Sequence, residues 1–106
     1  MMTRAVHHPG MAALWFSDTD EAWAECQKMD RGHFDFHTKP DGQRQFWFVC
    51  PGPCKSLSPI SIRPVVDGSL QSWEWDGNEQ APTLSPSINH VGCWHGWLRN
   101  GEFVVA

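Results

Sequence analysis

Three of the four cysteines and one of the six histidines have the spacing that metal chemistry needs. Cys50-Pro51-Gly52-Pro53-Cys54 sets two thiols either side of three residues, and Cys93-Trp94-His95 sets a third thiol and an imidazole either side of one. Thiolate and imidazole are donors that zinc favours, and a structural zinc takes four of them in a tetrahedron. Two prolines and a glycine exclude helix between Cys50 and Cys54 and impose a tight turn that can aim both sulfurs at one point. Cys93 and His95, two apart on an expected strand, would point to the same face. The expected ligands are therefore Cys50, Cys54, Cys93 and His95, a closed zinc site of three cysteines and one histidine. His90 is the rival for the fourth place, but it precedes Gly92 in a less regular segment, and His95 is preferred. Unligated core thiols, or a redox or disulfide pair at Cys50 and Cys54, are the competing readings.

The compartment bears on that choice. No stretch approaches the roughly 20 apolar residues of a transmembrane helix, and the N-terminal MMTRAVHHPGMAALWF is too broken for a signal peptide. A cytoplasmic protein is expected, whose cysteines are thiols or ligands rather than disulfides. Twelve acidic against eight basic residues give a formal net charge of −4. With Arg and Lys scattered, that argues against nucleic acid or an anionic membrane as the main partner.

The elements that must hold these residues are short. Ser17-Asp18-Thr19-Asp20 is a helix start, with side-chain oxygens for the orphan N–H groups and acids at the positive end of the dipole. Ala22, Cys26 and Met29 then recur on one helical face, and Cys26 reads as a small core residue. Before this helix, Leu14-Trp15-Phe16 reads as a short strand or a packed segment, and His7 and His8 as solvated tail. From Gly32 the period becomes two. His33-Phe34-Asp35-Phe36-His37 puts both rings on one face, leaving His33, Asp35 and His37 to a solvated face. Gln45–Val49 is nearly all apolar, a central strand covered on both sides that leads straight into Cys50. Further strands are expected within Leu57–Val66, at Ser72–Asp76, at Cys93–Leu98 and at Phe103–Val105, with Ala81–Ile88 extended and Asn100-Gly101 as a hairpin turn. The fold class is mainly β with one N-terminal helix (α+β), a small antiparallel sheet or sandwich with a zinc knuckle, in one domain over residues 1–106.

The segments FWFVCPGPC, SWEWDGN, APTLSPSI and GCWHGWLRNGEF, spread over residues 45–106, resemble a family of short phage and bacterial metal-binding proteins of unassigned function. Its members often carry the label "ammonia monooxygenase". That label does not fit this chain, because ammonia oxidation needs a copper membrane enzyme and these ligands suit zinc. The resemblance implies a metal-binding β-rich domain with Cys50, Cys54, Cys93 and His95 as ligands. Relatives of that family are encoded near bacterial ubiquitin-like conjugation genes.

Four protein ligands close a zinc site, which favours a structural role over a catalytic one. No His-Glu-x-x-His, Gly-x-Ser-x-Gly, phosphate-loop or deaminase signature is present. The expectation is a non-enzymatic, zinc-stabilised interaction module, a phage-type accessory protein that binds a host or phage protein, with Trp94 or Trp97 as an aromatic anchor. The alternative is a small zinc hydrolase or peptidase-like enzyme linked to ubiquitin-like conjugation. It would need an open metal position and a base such as Glu74, Asp76 or Glu102.

Overall fold

The computed structural model describes residues 2–17 and 19–106, so Asp18 of the expected helix start lies outside it. Among the described residues, nine strands and two helices follow in order. They are β1 (Met2–Arg4), β2 (Val6–His7), α1 (Met11–Phe16), α2 (Asp20–Gln27), β3 (His33–Thr38), β4 (Arg44–Val49), β5 (Leu57–Ser61), β6 (Glu74–Trp75), β7 (Leu84–His90), β8 (Trp94–Arg99) and β9 (Glu102–Val105). They form a five-stranded sheet in the order β1-β9-β8-β7-β6 and a four-stranded sheet in the order β2-β3-β4-β5. Pairing is antiparallel except for β2 on β3.

Period-two patterning explains how the two sheets meet. Phe34, Phe46 and Phe48 of one sheet pack with Leu84, Ile88, Leu98 and Phe103 of the other in a single buried cluster that also holds Trp94 and Cys50. Phe34 stacks on Phe46 with ring centroids 5.2 Å apart, and Phe48 on Phe103 at 5.7 Å. Such rings let a small chain bury much apolar area with few residues. The far side of β4 is also covered: Trp47 and Val49 pack with Met11, Ala12 and Met29 beneath the helices. The nearly continuous apolar run of β4 is thus explained on both faces.

Three expectations fail in the N-terminal third. The chain has two helices here rather than one, because Leu14-Trp15-Phe16 continues a helical turn that begins after Gly10, whose φ is 88°. Nor is Asp35 solvated. It is 8% exposed and accepts from Ala12 N–H (3.1 Å) and Phe36 N–H (2.9 Å), with His7 Nε2 at 3.0 Å. A carboxylate at the first turn of α1 satisfies a donor that has no partner within the helix. His7 therefore belongs to β2 and stacks on Phe34, not to a tail. The helix α2 forms as expected, its Thr19 side chain accepting from Ala22 N–H at 3.1 Å. Ala22 and Met29 of its stripe are buried and Cys26 half-buried. No helix among the described residues is long and apolar enough to cross a membrane.

Candidate metal cluster and Ser–His pair

The strand β4 ends at Val49 and delivers Cys50 to the edge of the core, where it is fully buried. The Pro-Gly-Pro turn then folds back. Cys50 N–H donates to Ser56 C=O at 2.8 Å, and Lys55 takes a left-handed φ of 51°. Arg31 Nε donates to Gly52 C=O at 2.9 Å and fixes the loop from outside. A side chain at Gly52 would meet Cys93 Sγ at 2.7 Å and Trp94 Cβ at 2.8 Å, so only glycine lets the loop lie on the β7–β8 hairpin.

That hairpin supplies the other two donors. Cys93 N–H donates to His90 C=O at 2.9 Å, which closes the turn and brings both side chains to one end of the strands. Donor atoms of Cys50, Cys54, His90 and Cys93 all lie within 4.8 Å of one another. Cys50 Sγ is 3.6 Å from Cys93 Sγ, and Cys54 Sγ is 3.7 Å from His90 Nδ1. A tetrahedral ion with metal–sulfur bonds of about 2.3 Å needs donors about 3.8 Å apart. The four residues can therefore hold a metal ion. Amide donors already face the sulfurs: Gly52 N–H to Cys50 Sγ at 3.4 Å and Cys54 N–H to Cys93 Sγ at 3.2 Å. Burial pushes the Cys50 thiol up, while Gly52 N–H and the Arg31 charge pull the other way. The Cys54 and Cys93 sulfurs are in direct contact, as in a disulfide, with Cα atoms 6.1 Å apart. A disulfide would account for those two residues but not for a third thiol and an imidazole gathered against them.

Of the four expected ligands, Cys50, Cys54 and Cys93 come together and His95 does not. Cys93 and His95 would share a face only if they shared a strand. In fact β8 begins at Trp94, and Cys93 belongs to the turn. From Trp94 onward, Trp94, Gly96 and Leu98 face the core while His95, Trp97 and Arg99 face out. His90 takes the fourth place.

On the outer face His95 has a different partner, since its Nε2 lies 3.2 Å from Ser87 Oγ. The two residues sit diagonally across β7 and β8, where Ile88 pairs with Gly96 and Asn89 with His95. The register explains how a side chain preceding Ile88 reaches there. Between Leu84↔Leu98 and Ile88↔Gly96, four steps of β7 cover two of β8. Such a bulge frees the strand to re-aim a side chain. Trp73 Nε1 donates to Ser87 C=O at 3.2 Å and pins it. Ser87 lines a cleft of about 440 Å³ between Leu70–Trp73 and Pro86–Val91. A hydroxyl within reach of an imidazole, at the wall of a cleft, has the arrangement of an activated nucleophile.

The remaining candidates lie elsewhere. Asp76 Oδ1 organises a turn, accepting from Asn78 and Thr83 N–H, and Glu74 is exposed. Neither these two nor Glu102 hydrogen-bonds to Ser87 or His95 among the described residues. Trp94 is core, 9% exposed, and Trp97 is half-buried under the Arg99 guanidinium, 4.6 Å from its ring. Ser87 carries no local signature in the sequence; only its cross-strand register with His95 marks it.

Compared with models of protein families, residues 19–106 match the family described as bacterial ubiquitination-like system serine protease (BubE). No curated protein and no solved structure gives a significant match.

Proposed function

Since the chain belongs to the BubE family of bacterial ubiquitination-like system serine proteases, we propose that it cleaves polypeptide with Ser87 as nucleophile and His95 as general base. The observation that carries this reading is the 3.2 Å approach of Ser87 Oγ and His95 Nε2 beside an open cleft. In the reaction, Ser87 Oγ attacks the scissile carbonyl as His95 Nε2 takes its proton. His95 then gives that proton to the leaving amine as the C–N bond breaks. Water, deprotonated by the same imidazole, hydrolyses the acyl-serine. The substrate is a polypeptide of a ubiquitination-like system, as the family description implies.

Zinc is the ion that Cys50, Cys54, Cys93 and His90 suit, three soft thiolates and one imidazole. Four protein ligands leave it no open position. Its role is to clip the β4 knuckle to the β7–β8 hairpin that carries Ser87 and His95. The peptidase-like alternative linked to ubiquitin-like conjugation is thus the one the family match supports; a serine nucleophile needs no metal-bound water, so only the zinc-hydrolase form of it is set aside.

The test is peptide hydrolysis by wild type, Ser87→Ala and His95→Ala. Either substitution is expected to lower kcat by about a thousandfold or more while leaving the fold intact, as removal of one member of a cooperating set does. Full activity in Ser87→Ala would overturn the assignment. No cleavage by wild type would return the chain to the non-enzymatic interaction module that a closed four-ligand metal site favours.

A further inference from the structure

The strand β7 is hydrogen-bonded unequally along its two edges. One edge meets β8 at Leu84 and again from Ile88 to His90. The other meets β6 only at Leu84 and Ser85. Beyond Ser85 the neighbouring chain peels away. Trp73 turns its N–H to Ser61 C=O and its C=O to Arg63 N–H, joining the segment after β5 instead. The separation opens the cleft of about 440 Å³ between Leu70–Trp73 and Pro86–Val91. Ser87 C=O is turned to this free edge, where Trp73 Nε1 meets it. Strand alternation puts the N–H and C=O of Asn89 on the same edge, two residues further. His90 C=O points the other way, to Cys93 N–H. Asn89 is exposed.

We propose that the substrate binds as an added, extended strand on this free edge of β7, its backbone hydrogen-bonded to Asn89 and its scissile carbonyl at Ser87. The inference rests on the protease reading above and names the substrate class for that site. The substrate is a flexible or terminal polypeptide segment able to lie straight, not a folded loop. A bare strand edge recognises any extended backbone through its N–H and C=O groups, with side chains adding selectivity at alternate positions. Leu70 and Val91, 101% and 84% exposed, both line the cleft. They favour apolar side chains at the substrate positions that face them.

The experiment is a backbone N-methyl scan on wild-type protein. A pool of quenched-fluorescent decapeptides identifies a cleaved sequence, which is then remade with one amide methylated at a time. Loss of at least about tenfold in kcat/KM is expected at the one amide that donates to Asn89 C=O, as for a lost hydrogen bond. The other positions on that side should be unaffected. A flat scan, with cleavage otherwise normal, overturns this proposal and leaves the protease reading standing. A wild-type protein that neither cleaves the pool nor takes a fluorophosphonate label overturns both. A second comparison uses Asn89→Ala, which keeps the backbone N–H, and Asn89→Pro, which removes it. The proline variant should fall at least about tenfold below the alanine variant in kcat/KM, with fluorophosphonate labelling equal in the two. Equal kcat/KM in two labelled variants overturns the proposal.

Discussion

A serine hydroxyl is a weak nucleophile until a base stands within hydrogen-bond reach. At residue scale, what surrounds Ser87 therefore matters more than the serine itself. In the proposed site His95, 3.2 Å from Ser87 Oγ, is the base, and Trp73 Nε1 donates to the Ser87 carbonyl. Trp73→Phe keeps the ring and removes the donor. It is expected to destabilise the fold by about 1 kcal/mol and to lower kcat by about tenfold with KM little changed, since a slight misplacement of a reacting group costs that much or more. Steady-state kinetics with a thermal melt checks both. None of this could be read from spacing along the chain. Ser87 and His95 are eight residues apart, and they meet only through the cross-strand register that pairs Ile88 with Gly96 and Asn89 with His95. By contrast Cys50 and Cys54 stand out in the sequence, because thiols flanking Pro-Gly-Pro have few other uses, and Cys93 is the distant thiol that completes a metal set with them. His95 lies outside the cluster because β8 starts one residue later than its apolar pattern suggests. Sequence periodicity places strand ends least reliably.

At the scale of elements, the β7–β8 hairpin joins the two candidate sites. The end of β7 carries His90, the turn carries Cys93, and the outer face carries Ser87 and His95. The knuckle after β4 packs against that hairpin through Gly52. Gly52→Ala would force the added methyl group into Cys93 Sγ and Trp94 Cβ. Overpacking of this kind costs about 1–3 kcal/mol. A lowered midpoint in urea and weakened metal retention are the expected readouts; an unchanged midpoint would mean the loop can lift off the hairpin freely. The sheets themselves were largely visible in advance, since Phe34, Phe36, Phe46 and Phe48 alternate or run as buried strands must. The helix α1 was hidden for a different reason. Its N-terminal turn depends on Asp35, a partner 23 residues away from Ala12, and no local pattern reports that contact.

For the whole molecule, the proposed zinc and the titration of His33 bear on stability. Chelation, or Cys93→Ser, is expected to remove one equivalent of zinc and lower Tm sharply, because binding energy at a structural site is folding energy. Zinc analysis alongside a melt tests this. Hydrolysis should persist after chelation at temperatures where the apo protein remains folded. Prompt loss there, reversed by zinc, would point to a metal-bound water instead. The pH response has its own source. Burial, and then the neighbouring His8, hold His33 below its ordinary value of 6.5. Asp30 pulls the other way but is an exposed carboxylate 4.0 Å off, and Lys55 adds to the depression. The folded chain therefore resists a proton that the unfolded chain accepts. The stability His33 contributes is present above pH 6.5 and is lost as pH falls below it. His33→Gln should flatten that slope in urea melts between pH 7 and about 5.

The central claim is that Ser87 is the nucleophile. The direct measurement is labelling of the intact wild-type protein with a fluorophosphonate, followed by peptide mass spectrometry to locate the adduct. The expected result is one adduct, on Ser87, lost in His95→Ala. An adduct on Ser85 or another serine, or labelling of Ser87 that survives loss of His95 at an undiminished rate, would contradict it.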